Sequence, residues 1–142
     1  MPREAKWAIC TFMAGISPPR GVSEATLYPL RQGFSVDVVD RVLRDGKLSM
    51  MELDRLVLPR KTLAHRRILG ALTSDQSDRL SRVLRMIDEA ETTFGDREKA
   101  HTWLRRPNAL LDNEAPLDRL DTDFGIRQVE ALLDRIGQGL AV

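Results

Sequence analysis

A single cysteine, Cys10, leaves this chain of 142 residues unable to form an internal disulfide. Its fold must rest on burial and hydrogen bonding, and a reducing compartment is expected. Aromatic residues are scarce, at 5%, and no stretch alternates apolar and polar residues with period two, so nothing reads as a β-strand. Long apolar runs are missing as well. The stretch from Trp7 to Ile16 follows Arg3 and Lys6 in the manner of a weak secretory signal, but it is short, contains Cys10 and Thr11, and runs into Pro18-Pro19-Arg20. A spanning helix needs roughly 20 apolar residues. A cytoplasmic protein with no membrane contact is the expectation.

The chemistry of catalysis is also thin. His65 and His101 have no cysteine or second histidine at ligand spacing, which argues against zinc. Asp118, Asp121 and Asp123 lack the spacing and the glycine of a calcium loop. There is no glycine-rich phosphate loop, and pairing Cys10 with either histidine as a nucleophile would be forced. No catalytic residue, metal site or cofactor is assigned, and the enzyme classes fall away.

What is present is helical patterning. Hydrophobic residues make up 42% and charged residues 30%, a globular profile. Residues 1–22 carry prolines and glycines without periodicity and read as a variable, partly disordered arm. Ser23 caps a short helix through Leu27 and Leu30 that ends at Gly33, and Ser35 caps a second containing Val38, Val39, Val42 and Leu43. Ser49-Met50-Met51-Glu52 is a capping box, in which serine and glutamate satisfy each other's free backbone N–H groups. That helix breaks at Leu58-Pro59, and another runs from about Lys61 to Leu69 before Gly70. Thr73 to Gln76 opens the clearest helix. Leu80, Val83, Leu84, Ile87, Ala90 and Phe94 recur at three- and four-residue steps along it, and Asp78 pairs with Arg82 one turn on. Asp96 caps a helix whose inward face is Ala100, Trp103 and Leu104, with Trp103 as a core anchor. Asn108 to Ala115 is a loop, Pro116-Leu117 opens a helical turn, and Thr122 caps a last helix burying Ile126, Val129, Leu132, Leu133 and Ile136. The expected fold is all-α. Residues 23–72 form a helix-turn-helix unit, 73–94 a connecting helix and 95–142 a small helical domain.

Charge is unevenly spread. From Arg55 to Leu72 there are five basic residues and no acid, whereas Asn108 to Ile136 holds seven acids against three arginines. Two segments of opposite sign suggest two different partners. In a helix-turn-helix the third helix enters the major groove with its N-terminal residues against the base edges. Here it would present Arg60, Lys61, Thr62, His65 and Arg66, with Arg67 toward the flank. Arginine can bond a guanine edge in two places, while lysine and threonine hold phosphates. The alternative, that these cations are only a solvated helix face, stays open at this level.

From Thr93 onward the chain closely resembles the C-terminal domain of the Xre/MbcA/ParS antitoxins. The resemblance is carried by Phe94-Gly95-Asp96, Ala100, Trp103-Leu104, Pro107-Asn108, Pro116-Leu117, Leu120, Thr122, Gly125, Val129-Glu130, Leu133, Ile136 and Gly139. Upstream, Thr62-Leu63 with Arg66-Arg67, and Leu72 with Ser77-Asp78-Arg79-Leu80, resemble the Xre-like helix-turn-helix and connecting helix of the same family. The similarity spans residues 23 to 142. It implies an antitoxin that binds a cognate RES-domain toxin acting on NAD, by degrading it or by transferring ADP-ribose. It also implies a homodimer at the centre of the complex, with the last residues at the toxin's active site, and repression of the operon through operator DNA. The residues that would touch the toxin are Asn108, Asp112, Glu114, Arg135, Gln138, Gly139, Leu140, Ala141 and Val142, the last three forming an apolar plug. One departure from the family pattern is Asp112-Asn113-Glu114-Ala115, where glycines are usual; another is His65. The competing reading is a stand-alone transcriptional regulator whose C-terminal domain only dimerises.

Overall fold

The computed structural model describes residues 33–140. The expected arm, the helix through Leu27 and Leu30, and Ala141 and Val142 lie outside the described residues. Within them six α-helices follow one another: α1 (Val36–Arg44), α2 (Met50–Leu56), α3 (Arg60–Leu69), α4 (Ser74–Phe94), α5 (Arg97–Arg105) and α6 (Asp123–Gly137). Two 3₁₀ turns, Ala109–Leu111 and Pro116–Asp121, lie between α5 and α6. No strand occurs among the described residues; the only sheet-like pairings are isolated bridges, Ser35 with Ala71 and Asn108 with Glu114. The all-α expectation is met.

Helix starts follow local chemistry. Ser35 Oγ accepts from Asp37 N–H, and Ser49–Glu52 and Thr73–Gln76 form complete capping boxes. Asp96 caps α5 through Lys99 N–H, and Thr122 caps α6 through Gly125 N–H. Each removes one of the orphan donors that a helix start exposes. α3 is the exception. Pro59 stands at its N-cap and offers no side-chain bond; instead Asp54, six residues upstream in α2, accepts from Arg60 N–H at 2.6 Å. Gly70 and Gly95 end α3 and α4 in the left-handed conformation.

One apolar cluster runs through the whole described chain, from Phe34 and Val39 through Leu53, Leu80 and Ile87 to Leu104 and Leu133. α4 is its spine, burying Leu80, Val83, Leu84, Met86, Ile87 and Ala90. The sole buried polar residue in that core, Ser77, is fully satisfied: its Oγ accepts from Phe34 N–H at 2.7 Å and donates to Thr73 O at 2.8 Å.

α6 lies beside α4 and runs in the same direction. Asp123 at its start pairs with Arg82, Glu130 lies 3.7 Å from Arg85, and Gly137 packs against Thr93. The Asp78–Arg82 pair expected along α4 is present at 3.2 Å, with Arg82 shared between Asp78 and Asp123. Gly125 lets α6 sit directly on the second 3₁₀ turn, since a Cβ there would overlap the Arg119 carbonyl.

Two expectations need correction. Trp103 is half-buried rather than enclosed, packing at the edge of the core against Phe94 with ring centroids 5.6 Å apart. The segment from Asn108 to Ala115 is more ordered than a plain loop. The Asn108 side chain accepts from Leu110 N–H, its backbone N–H donates to Glu114 O, and a 3₁₀ turn lies between them.

Candidate nucleic-acid and partner interfaces

α3 is mounted on the surface by its ends. Of its ten residues only Leu63 is buried. Beyond its last turn, Val36 N–H donates to Gly70 O and Leu72 N–H to Phe34 O, so the chain after α3 is stitched to the segment leading into α1. Its remaining faces are free to carry charge. Arg60, Lys61 and His65 are exposed, while Thr62 and Arg66 are half-buried. Among the described residues none of Arg60, Lys61, His65 and Arg66 makes an ion pair. Arg67 does, to Asp40 of α1 at 2.8 Å.

The count of uncompensated cations from Arg55 to Leu72 therefore shrinks in three dimensions. Arg55 pairs with Asp118 and Arg67 with Asp40, both acids contributed from elsewhere in the chain. What remains is a smaller group, Arg60 and Lys61 in the first turn of α3 and Arg66 in its last. The first turn is where a recognition helix meets base edges.

The acidic side has a different construction. Asp112 and Asn113 both adopt left-handed backbone, with φ 57° and 61°, which these two residue types tolerate better than other non-glycine residues. This is how the chain turns here without a glycine. Arg119, mostly buried, holds the turn from beneath. It lies 2.7 Å from Asp112, 2.9 Å from Glu114 and donates to Leu111 O at 3.1 Å. Sequence reasoning named Asn108, Asp112 and Glu114 but missed Arg119, because its role depends on a fold-back that no spacing rule signals.

The structure splits the candidate partner-binding residues. Asp112 and Glu114 pair with Arg119, Asn108 is bridged to Glu114 through the backbone, and the Arg119 carbonyl lies against Gly125 in the first turn of α6. Arg135, Gln138, Gly139 and Leu140 are exposed at its other end, and Ala141 and Val142 lie outside the described residues. From Gly125 to Gly137 the helix rises about 18 Å. Past α6 the chain folds back on itself: Leu140 N–H donates to Arg135 O and Gly139 takes φ 74°. Among the described residues no group of acids, histidines or cysteines is arranged to hold a metal, and no helix is long and apolar enough to cross a membrane.

Two family descriptions match the chain. The antitoxin Xre-like helix-turn-helix domain covers residues 25–85, and the antitoxin Xre/MbcA/ParS C-terminal toxin-binding domain covers residues 89–139. The chain belongs to the Xre antitoxin family. Among its curated relatives, an Antitoxin Xre of Yersinia enterocolitica is 33% identical over 114 residues, covering 78% of this chain and 77% of that protein. An Antitoxin Xre of Pseudomonas putida is 33% identical over 111 residues, covering 78% and 69%. A third, from Photorhabdus laumondii, is 32% identical over 114 residues, covering 78% and 77%. This Xre antitoxin thus pairs a DNA-binding module with a module for a toxin partner, and it is a regulatory, binding protein rather than an enzyme. The two matches meet inside α4, so both modules share one helix.

Proposed function

We propose that this antitoxin neutralises a RES-domain toxin acting on NAD by covering the toxin's active site, and that it represses its own operon through α3 as a homodimer in the cytoplasm. The observation that carries the reading is the contrast between two surfaces. One is a helix whose cations, apart from Arg67, make no ion pair among the described residues. The other is an acidic turn clamped by Arg119, together with an exposed segment from Gln138 to Leu140. Unpaired cations on a surface helix suit phosphates and base edges. A pre-formed acidic turn suits a cation-lined nucleotide pocket through complementary potentials.

In this reading Arg60, Lys61, Thr62, His65, Arg66 and Arg67 face DNA. Asn108, Asp112 and Glu114 form one toxin contact, and Arg135 with residues 138–142 forms another. The test is co-expression with the neighbouring gene. The full chain should rescue growth and co-purify with the toxin, and removal of residues 138–142 should restore toxicity while leaving the antitoxin folded. Retained inhibition by the truncated chain would remove the tail from the mechanism. A neighbouring product that neither binds the antitoxin nor depletes NAD would overturn the choice of toxin.

A further inference from the structure

Besides α4, side chains join the two modules: Arg55 of α2 pairs with Asp118, Arg97 of α5 donates to the Asp45 carbonyl, and Arg105 makes the joint with the most bonds. Arg105, on the last turn of α5, donates from Nε to Glu52 Oε1 at 2.8 Å and from Nη2 to Glu52 Oε2 at 3.0 Å. The same Nη2 reaches the Lys47 carbonyl at 3.3 Å. Nη1 sits 2.9 Å from His101 Nδ1. A guanidinium only donates, so Nδ1 is the acceptor and the imidazole proton lies on Nε2, facing Glu91 Oε1 at 2.7 Å.

Glu52 is the capping-box residue of α2, accepting from Ser49 N–H at 2.7 Å. One carboxylate therefore starts the helix that precedes α3 and also receives a two-pronged arginine from the toxin-binding module. A two-pronged pair of this kind restricts orientation as well as distance. From α2 the support continues to α3 through Asp54 and the Arg60 N–H, the one side-chain bond at the start of α3 among the described residues.

The geometry points to Arg105 as a positioning residue for DNA recognition: the toxin-binding module sets the seat of α2, and so of α3, through the Arg105–Glu52 joint. By reciprocity, whatever loads α5 from the toxin side then biases DNA affinity, and DNA biases toxin affinity by the same factor. This inference rests on α3 being the DNA-reading helix.

The test uses the full chain as wild type and as Arg105→Gln, Glu52→Gln, the double variant and Arg105→Lys. The readouts are affinity for a duplex covering the region upstream of the gene, the dependence of that affinity on salt, and hydrogen exchange of α2 and α3. Each single glutamine variant should bind about three- to tenfold more weakly, and the double variant should be no worse than the weaker single, because both remove one interaction. Arg105→Lys should recover only part, since an ammonium cannot reproduce the fork. The salt slope should stay at the wild-type value, because no phosphate contact is lost, and the first-turn amides of α2 should exchange faster.

Unchanged affinity in the variants, or additive losses, would overturn the joint while leaving the DNA reading intact. A slope reduced by about one would make Arg105 a direct phosphate contact and would equally overturn it. A wild-type chain that binds no duplex would remove the DNA reading and this inference with it. Circular dichroism confirms that each variant is folded at the binding temperature.

Discussion

α3 and α6 are both exposed on one side and both end near a glycine, yet they are held in opposite ways. α3 buries one residue, Leu63, and depends on bonds at its two ends. α6 buries Gly125, Ile126, Val129, Leu132 and Leu133 and lies along the spine of the core. A helix that must enter a groove needs most of its circumference free, so little of it can be spent on packing. A helix that forms a platform can be anchored along its length and offer its ends and adjoining turns. The same contrast holds for charge. The cations of α3 are mostly unpaired among the described residues, whereas Asp112 and Glu114 are both held by Arg119.

The comparison can be broken most sharply at Leu63. Leu63→Ala removes the only buried anchor of α3 and should cost about 3 kcal/mol. Operator binding should fall with it, while capture of the toxin at temperatures where α4 to α6 stay folded persists. Equal loss of both activities in a mobility-shift and pull-down pair would show that the modules do not differ in this way. Gly125→Ala is the matching change on the other side. The new methyl would meet the Arg119 carbonyl, pushing α6 off the second 3₁₀ turn, whose Arg119 holds Asp112 and Glu114. A cost of about 2 kcal/mol is expected in thermal unfolding, with toxin affinity reduced more than DNA affinity.

The smallest effect concerns pH. Burial pushes the Glu52 carboxyl up, but hydrogen bonds from Arg105 and from the Ser49 backbone outweigh it, leaving the group below its ordinary 4.5. A depressed carboxylate contributes stability that is complete above its unfolded value and is lost as pH falls through its folded one. Asp88 acts in the other direction. Burial, against the pull of Lys47, raises its carboxyl, so its ionised form burdens the fold at neutral pH and the burden lifts as pH falls. Glu52→Gln should therefore flatten the loss of stability on acidification below about pH 4.5. A denaturation midpoint with unchanged acid dependence would mean the Glu52 joint carries no ionic stabilisation.

Local signals in the chain were legible. The capping boxes at Ser49 and Thr73, the caps at Ser35, Asp96 and Thr122, and the glycine stops at Gly70 and Gly95 all depend on residues within one turn of each other. So did the stripe along α4, whose spacing alone identifies its buried face. What could not be read depends on distance along the chain. Arg105 and Glu52 are 53 residues apart and Arg55 and Asp118 are 63 apart, so no window of sequence contains either pair. The basic run from Arg55 to Leu72 looked wholly uncompensated for the same reason. The turn at Asp112 and Asn113 was seen as a departure from the family's glycines, but the arginine that holds it was not. Of the candidate sites, residue types and helices could be named in advance; their division into two groups could not.

That division has a consequence for the shape of any partner. Because Arg119, which holds the acidic turn, lies against the start of α6, that turn and the segment beyond Gly137 occupy opposite poles of α6. A protein engaging both must lie lengthwise, like a splint along a rod. One that merely capped a pole would leave the other set of candidates idle, so the length of the footprint would itself reveal how many of them are in use.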